Sequence, residues 1–323
     1  MAAELNDLKE QARKYKQSAY ATSSQKTYRC QLKCYLQFCI DYKLCPLPCA
    51  QETIICYTAF LASKMLPSSI ANYLNVVRIL HVEAGYKNPL YDNYELAMLK
   101  RGINRVKGVA PKQKQPITLD ILLKIRSSVN FGLSSDLAFR AVCVIGFFGF
   151  LRKSTLLPAS SVIGGSKILT RADVVQLDLE SFVLIVRNSK VIQFGQKLHS
   201  IPFAKVSDFR LCPVRALLAH FGASPLSSDK ALFNFLEKGV EIFMSHSKFV
   251  SRLKLGLTFA GVDQGKFSAH SFRKGGASYA FEIGVAPLQI KQRGDWASTA
   301  FEKYVFISNK SSVSVARALS GGF

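Results

Sequence analysis

Residues 141–151, Ala-Val-Cys-Val-Ile-Gly-Phe-Phe-Gly-Phe-Leu, carry no charged or hydrogen-bonding side chain beyond a single thiol, and they are bracketed by Arg140 and Arg152. A membrane-spanning helix needs roughly 20 apolar residues, so this run is too short to cross a bilayer. It reads instead as a helix buried on all sides, around which a domain must be assembled. Arg152 then sits at the mouth of an apolar core, where a charge is expensive unless it is paired or put to use.

The rest of the chain can supply that core. At 323 residues, 49% of them hydrophobic, it is long enough for two ordinary domains. Lysine and arginine total 43 against 21 aspartates and glutamates, a net charge of +22 spread along the sequence. Such an excess favours a polyanionic partner, and nucleic acid leads because each neutralised phosphate releases counterions. The first residues, MAAELNDLKEQARKYKQ, mix both charge signs and contain no apolar segment, so no secretion signal is read and an intracellular compartment is expected. Eight cysteines fit as thiols. Six of them, Cys30, Cys34, Cys39, Cys45, Cys49 and Cys56, crowd one stretch, but Cys30 and Cys34 sit within a helical pattern and no histidine lies nearby. Packing is favoured over metal binding, and no metal or other cofactor is expected.

Periodicity divides the chain. Thr22 and Gln25 have capping-box spacing, and Tyr28, Leu32, Tyr35, Leu36 and Cys39 recur at helical intervals to about residue 41. Lys26, Cys30, Lys33 and Cys34 fall on the opposite face, either solvated or facing phosphates. Further helices are expected near 51–65, from Pro67 to Gly85, and over 91–106. Residues 1–106 thus form an all-helical domain. Residues 107–116, KGVAPKQKQP, read as a basic linker, and 117–323 as a second domain. That domain opens with helices near 118–129 and 136–151. From residue 168 the β-branched content rises, giving three short antiparallel strands at 173–177, 182–186 and 198–203 with 188–197 as an exposed hairpin tip. Everything beyond Pro213 reads as helical. The fold class is mainly α with a small antiparallel β-sheet.

Within this frame stands a set of residues in a fixed order: Arg152, a hairpin lysine, His270 and Arg273 at i and i+3, Trp296, and Tyr304 eight residues later. Each alone is more often a core or salt-bridge residue. Together, Arg…Lys…His-x-x-Arg…Trp…Tyr resembles the active-site signature of the tyrosine recombinases, also called phage-integrase-type recombinases. The segments FLRKSTLLP, LCPVRALL, HSFRKGGASYA and GDWASTAFEKYV resemble, more narrowly, the recombinases of Crypton elements and their DIRS and Ngaro relatives.

The resemblance implies an N-terminal helical, SAM-like core-binding domain and a recombinase catalytic domain that together grip double-stranded DNA. It implies Tyr304 as nucleophile, Arg152 and Arg273 as forks on the scissile phosphate, His270 as general base, and Trp296 as an N–H donor where many members carry a second histidine. The general acid is Lys190, or alternatively Lys197. Lys26, Lys33, Lys107, Lys112, Lys114 and Lys274 are expected to contact DNA. One departure stands out: Thr155 occupies a position where many members carry a carboxylate. The expected activity is site-specific recombination or integration of a mobile element, through a 3′-phosphotyrosine and a four-way junction. It would be carried out by a homo-tetramer in the nucleus if the source is eukaryotic, with residues 314–319 forming a tail helix docked on its own or a neighbouring protomer. The alternatives are a domesticated, non-catalytic DNA-binding regulator and a type IB topoisomerase-like enzyme.

Overall fold

The computed structural model describes residues 2–109, 113–157, 168–189, 191–192, 194–304 and 317. The chain divides into two compact units, Met1–Pro111 and Lys112–Phe323.

The first unit is wholly helical: α1 (Ala2–Ser18), α2 (Thr22–Asp41), α3 (Gln51–Lys64), α4 (Pro67–Glu83) and α5 (Tyr94–Lys107). Pro67 opens α4 at the position where its missing N–H costs nothing, and Gly85, at φ 85°, follows its end. Tyr35, Phe38, Ile54, Tyr57, Leu61, Leu74, Val77 and Leu96 make the core. Helix α1 was not foreseen. Its residues are exposed, so its polar sequence shows no apolar stripe, and local pairs such as Glu10–Lys14 (3.1 Å) support it.

Two expectations for α2 need correction. The capping box does not form: Thr22 lies inside the helix, Ala21 caps it without a side-chain bond, and Gln25 Nε2 donates to the carbonyls of Gln17 and Tyr20. The buried stripe is also rotated. Gln31, Tyr35, Phe38 and Cys39 are buried and Cys34 packs on the core, whereas Leu36 and Ile40 are exposed. Aromatic contacts of Phe38 with Tyr57 and Phe60 pull the interface toward the bulkier side chains. All eight cysteines are free thiols.

The second unit contains α6 (Leu119–Ser127), α7 (Ser134–Phe148), α8 (Lys153–Leu156), β1 (Val174–Gln176), β2 (Ser181–Val186), β3 (His199–Ala204), α9 (Pro213–Ala223), β4 (Phe235–Glu237), β5 (Val240–Ile242), α10 (His246–Phe259), α11 (His270–Glu282) and α12 (Pro287–Arg293). Helix α7 is the axle: Asp136 to Phe147 are all buried, and α6, α9, α11 and β4 pack on it. Arg140 and Asp136 are tolerated there because Arg140 donates to the carbonyls of Phe209 and Arg210 and Asp136 pairs with Arg252.

Strands β1-β2-β3 form an antiparallel sheet in that order, with Leu184 opposite Ile201 and Phe182 stacked on Phe203. The expectation of helix alone beyond Pro213 is overturned by the antiparallel pair β4–β5. Its turn, Lys238-Gly239, has φ 50° and 78°, the two left-handed residues that a two-residue hairpin requires. The linker reading also changes. Residues 113–117 belong to the second unit, where Gln115 N donates to Lys266 O (2.7 Å) and Ile117 N to Ser271 O (3.0 Å).

Candidate active site

Helix α11 organises the site. Two glycines let it seat deeply: a Cβ on Gly275 would lie 1.9 Å from Ile117 O, and one on Gly276 would lie 2.0 Å from Phe147 O. The helix therefore lies with its first turn between the 113–117 segment and the end of α7, and that turn carries His270 and Arg273.

Arg273 is 1% exposed. It donates from Nη1 to Phe150 O and from Nη2 to Gly294 O (2.7 Å), and its guanidinium stacks 3.8 Å from the centroid of Trp296. Carbonyl dipoles and a ring face hold this cation, and among the described residues no carboxylate bonds it. Burial, and after it the charge of Arg152, lowers its pKa from 12.5 to about 9, opposed by Tyr304 and Asp295. Its Nε and the indole Nε1 of Trp296 are both buried without a partner among the described residues.

Trp296 folds back over Gly294, where a Cβ would fall 1.7 Å from the indole, and rests against Phe150, Phe301 and Tyr304. A single 3₁₀ turn, Thr299–Lys303, then delivers Tyr304. Its carbonyl accepts from Ser278 Oγ on α11 (3.1 Å), its ring meets His270 edge-on at 5.1 Å between centroids, and its ring centroid lies 5.4 Å from the Arg273 guanidinium. Although part of His270 is open to solvent, burial and then the cations Arg273, Arg152, Lys153 and Lys274 push its pKa from 6.5 down to about 4. The imidazole is neutral at physiological pH and able to accept a proton. His270, Tyr304, Lys274, Ser268, Ser271, Gln113 and Lys114 line one cavity of about 220 Å³.

The structure thus brings His270, Arg273, Trp296 and Tyr304 into contact. Arg152, half-buried at the start of α8, acts on His270 and Arg273 through its field. Lys190 lies outside the described residues, as do Lys112 and, apart from Arg317, the expected tail helix. Lys197 is occupied by an ion pair with Asp295. Of the lysines assigned to DNA, Lys26 and Lys33 are exposed on α2, while the other three described ones have protein partners. Lys107 donates to Ala62 O (2.8 Å), Lys114 to Gly265 O, and Lys274 to Lys114 O (3.2 Å). Thr155 is buried.

Sequence reasoning missed two residues. Ser278 pins the backbone of Tyr304, and nothing marks one serine on α11 as different. Asp295 supplies a carboxylate near Arg273 that Thr155 does not. Its signal was local: Gly-Asp-Trp at a turn, with Asp295 at φ 51°.

The chain aligns over 295 residues, 87% of it and 80% of the relative, with an integrase/recombinase xerD homolog of Selenomonas ruminantium at 23% identity. It superposes with a TM-score of 0.58 on the XerH site-specific recombinase in a post-cleavage complex on its palindromic difH substrate, at 15% identity over 85% of this chain and 73% of that one. With the Tn1549 transposon integrase in complex with circular intermediate DNA the TM-score is 0.59, at 13% identity over 94% and 97%. The fold is that of the tyrosine recombinases. No family model matches the chain. Within the recombinase fold, the tyrosine-bearing turn and α11 face one another across the cavity just described.

Proposed function

We propose that this chain is a site-specific DNA recombinase or integrase that breaks and rejoins strands through a phosphodiester bond to Tyr304. The observation that carries the reading is the meeting of His270 and Tyr304 at one cavity, with Arg273 and Trp296 packed against the tyrosine ring, under the field of Arg152, Lys153 and Lys274.

Attack of the tyrosine hydroxyl loads negative charge onto the non-bridging oxygens of the phosphate. The cations Arg152 and Arg273 are matched to that charge, with Trp296 stacked on the Arg273 guanidinium. As the Tyr304 O–P bond forms, its proton passes to neutral His270. As the P–O5′ bond breaks, a lysine of the β2–β3 hairpin, Lys190 or Lys197, returns a proton to the leaving oxygen. The 3′-phosphotyrosine conserves the bond energy, so a second strand can rejoin there by the reverse displacement. In this reading a mobile element is the substrate, four protomers exchange strands in pairs through a four-way junction, the Crypton type is the nearest subgroup, and the nucleus is the compartment.

The test uses a pool of nicked duplexes tiled across the termini of the element that carries this sequence, in which the cleaved-off fragment diffuses away and traps the adduct. Wild type should yield a covalent species on a denaturing gel, with the nucleotide mapped to Tyr304 by peptide mass spectrometry. Tyr304→Phe should bind the pool and give none. An adduct that persists in the phenylalanine variant would refute the nucleophile. Tight binding with no adduct under any condition would make the chain a DNA-binding regulator.

A further inference from the structure

Strand β3 is tied to the end of α12 by side-chain bonds to main-chain carbonyls. His199 Nε2 meets Arg293 O (3.0 Å), Arg293 Nη2 donates to Pro202 O (2.9 Å), and Arg293 Nε donates to Phe148 O at the end of α7 (2.7 Å). These contacts fix the base of the hairpin. In the connection between β2 and β3, Ile192 is buried, and one side chain of the active-site turn meets a residue on each arm. Asp295 accepts from Ser189 Oγ, after β2, at Oδ2 (3.4 Å) and pairs at Oδ1 with Lys197, just before β3. Asp295 is 9% exposed, and its neighbours in sequence are the carbonyl of Gly294 that holds Arg273 and the indole of Trp296.

We propose that Asp295 is a positioning residue of strand cleavage, clasping both arms of the β2–β3 connection to the active-site turn so that a hairpin lysine is presented to the leaving 5′-oxygen. The proposal rests on the recombinase reading above. Lys197 is held directly, and Lys190 is the residue after Ser189 in the chain. The aspartate forms no bond to phosphate in this role. It acts by restricting where the hairpin ammonium can go.

Asp295→Asn is the informative variant. At φ 51° the backbone is in the left-handed region that asparagine adopts as readily as aspartate, so the substitution removes charge without straining the turn. Single-turnover cleavage is measured on the nicked pool with an ordinary 5′-oxygen leaving group and with a bridging 5′-sulfur. The sulfur departs as a thiolate and needs no proton donor. The Asp295→Asn variant should cleave the oxygen substrate about 10-fold or more slowly, part of the roughly 10²–10⁴-fold that a general acid contributes, and cleave the sulfur substrate at the wild-type rate. Equal slowing on both substrates, or none on either, overturns the proposal. Limited tryptic digestion of the DNA-free protein reads the clasp without any cleavage chemistry: the variant should be cut faster within 187–197 and nowhere else. Unchanged digestion overturns the clasp even if the enzyme is active. A wild type that digests as expected but forms no adduct overturns the recombinase reading instead.

Discussion

The pH dependence of adduct formation gives the sharpest test of the site's electrostatics. If neutral His270 takes the Tyr304 proton, the rate follows the neutral fraction of the imidazole. An ordinary histidine at 6.5 is about 3% neutral at pH 5, so the rate would fall about 30-fold between pH 8 and 5. Burial and four surrounding cations hold His270 at about 4, and at that value it is still about 90% neutral at pH 5. The expected kcat/KM profile, which reports the free enzyme, is therefore flat from pH 8 to 5 and bends only near 4. The DNA phosphate opposes those cations, so kcat, which reports the complex, should bend at a higher pH than kcat/KM. The assay is initial-rate formation of the covalent species on the nicked pool, with circular dichroism at each pH to verify folding. A kcat/KM profile that bends near 6.5 would refute the electrostatic account. His270→Ala at the wild-type rate would refute the base itself.

Two further outcomes follow from packing and burial. Gly275→Ala gains about 1 kcal/mol of helix propensity but drives a Cβ to 1.9 Å from Ile117 O, an overlap with main chain that costs about 1–3 kcal/mol or more. Its melting temperature should fall by several degrees, and one at or above wild type would show that the 113–117 strap yields easily. His220 has no exposed surface, its Nε2 meets Leu232 O (3.1 Å), and burial lowers its pKa from 6.5 to about 4. The unfolded chain therefore takes up the proton first. Stability is fully present above about 6.5 and is lost as pH falls toward 4, by up to about 3 kcal/mol. His220→Gln, which retains a donor and does not titrate there, should lose less stability over that window in urea titrations. Equal losses would sink the assignment.

Much of the fold was legible because its signals are local. The run 141–151 announced a buried helix, Pro67 and Gly85 punctuated α4, and β-branched alternation marked β2 and β3 to within a residue or two. The misses are also physical. Helix α1 buries nothing that would create a periodic stripe. The rotation of α2 was decided by the aromatic side chains of α3, which its own sequence does not contain. The β4–β5 hairpin was missed because its strands are three residues each, too short for alternation to register.

For the site, residue types in a fixed order were enough to nominate Arg152, His270, Arg273, Trp296 and Tyr304, because catalysis constrains which functional groups are present and where the chain carries them. Their arrangement was beyond sequence reasoning. Arg273 finds its carbonyl at Phe150, 123 residues away, and Lys197 finds Asp295 98 residues away. The close seating of α11 through Gly275 and Gly276 is what brings Arg273 to the end of α7. The nomination of these groups thus came from the sequence through the resemblance. The depressed pKa of His270, the burial of Arg273 and Trp296, and the clasp at Asp295 were decided by tertiary structure, since burial and through-space charge belong to neighbours that chain order does not reveal.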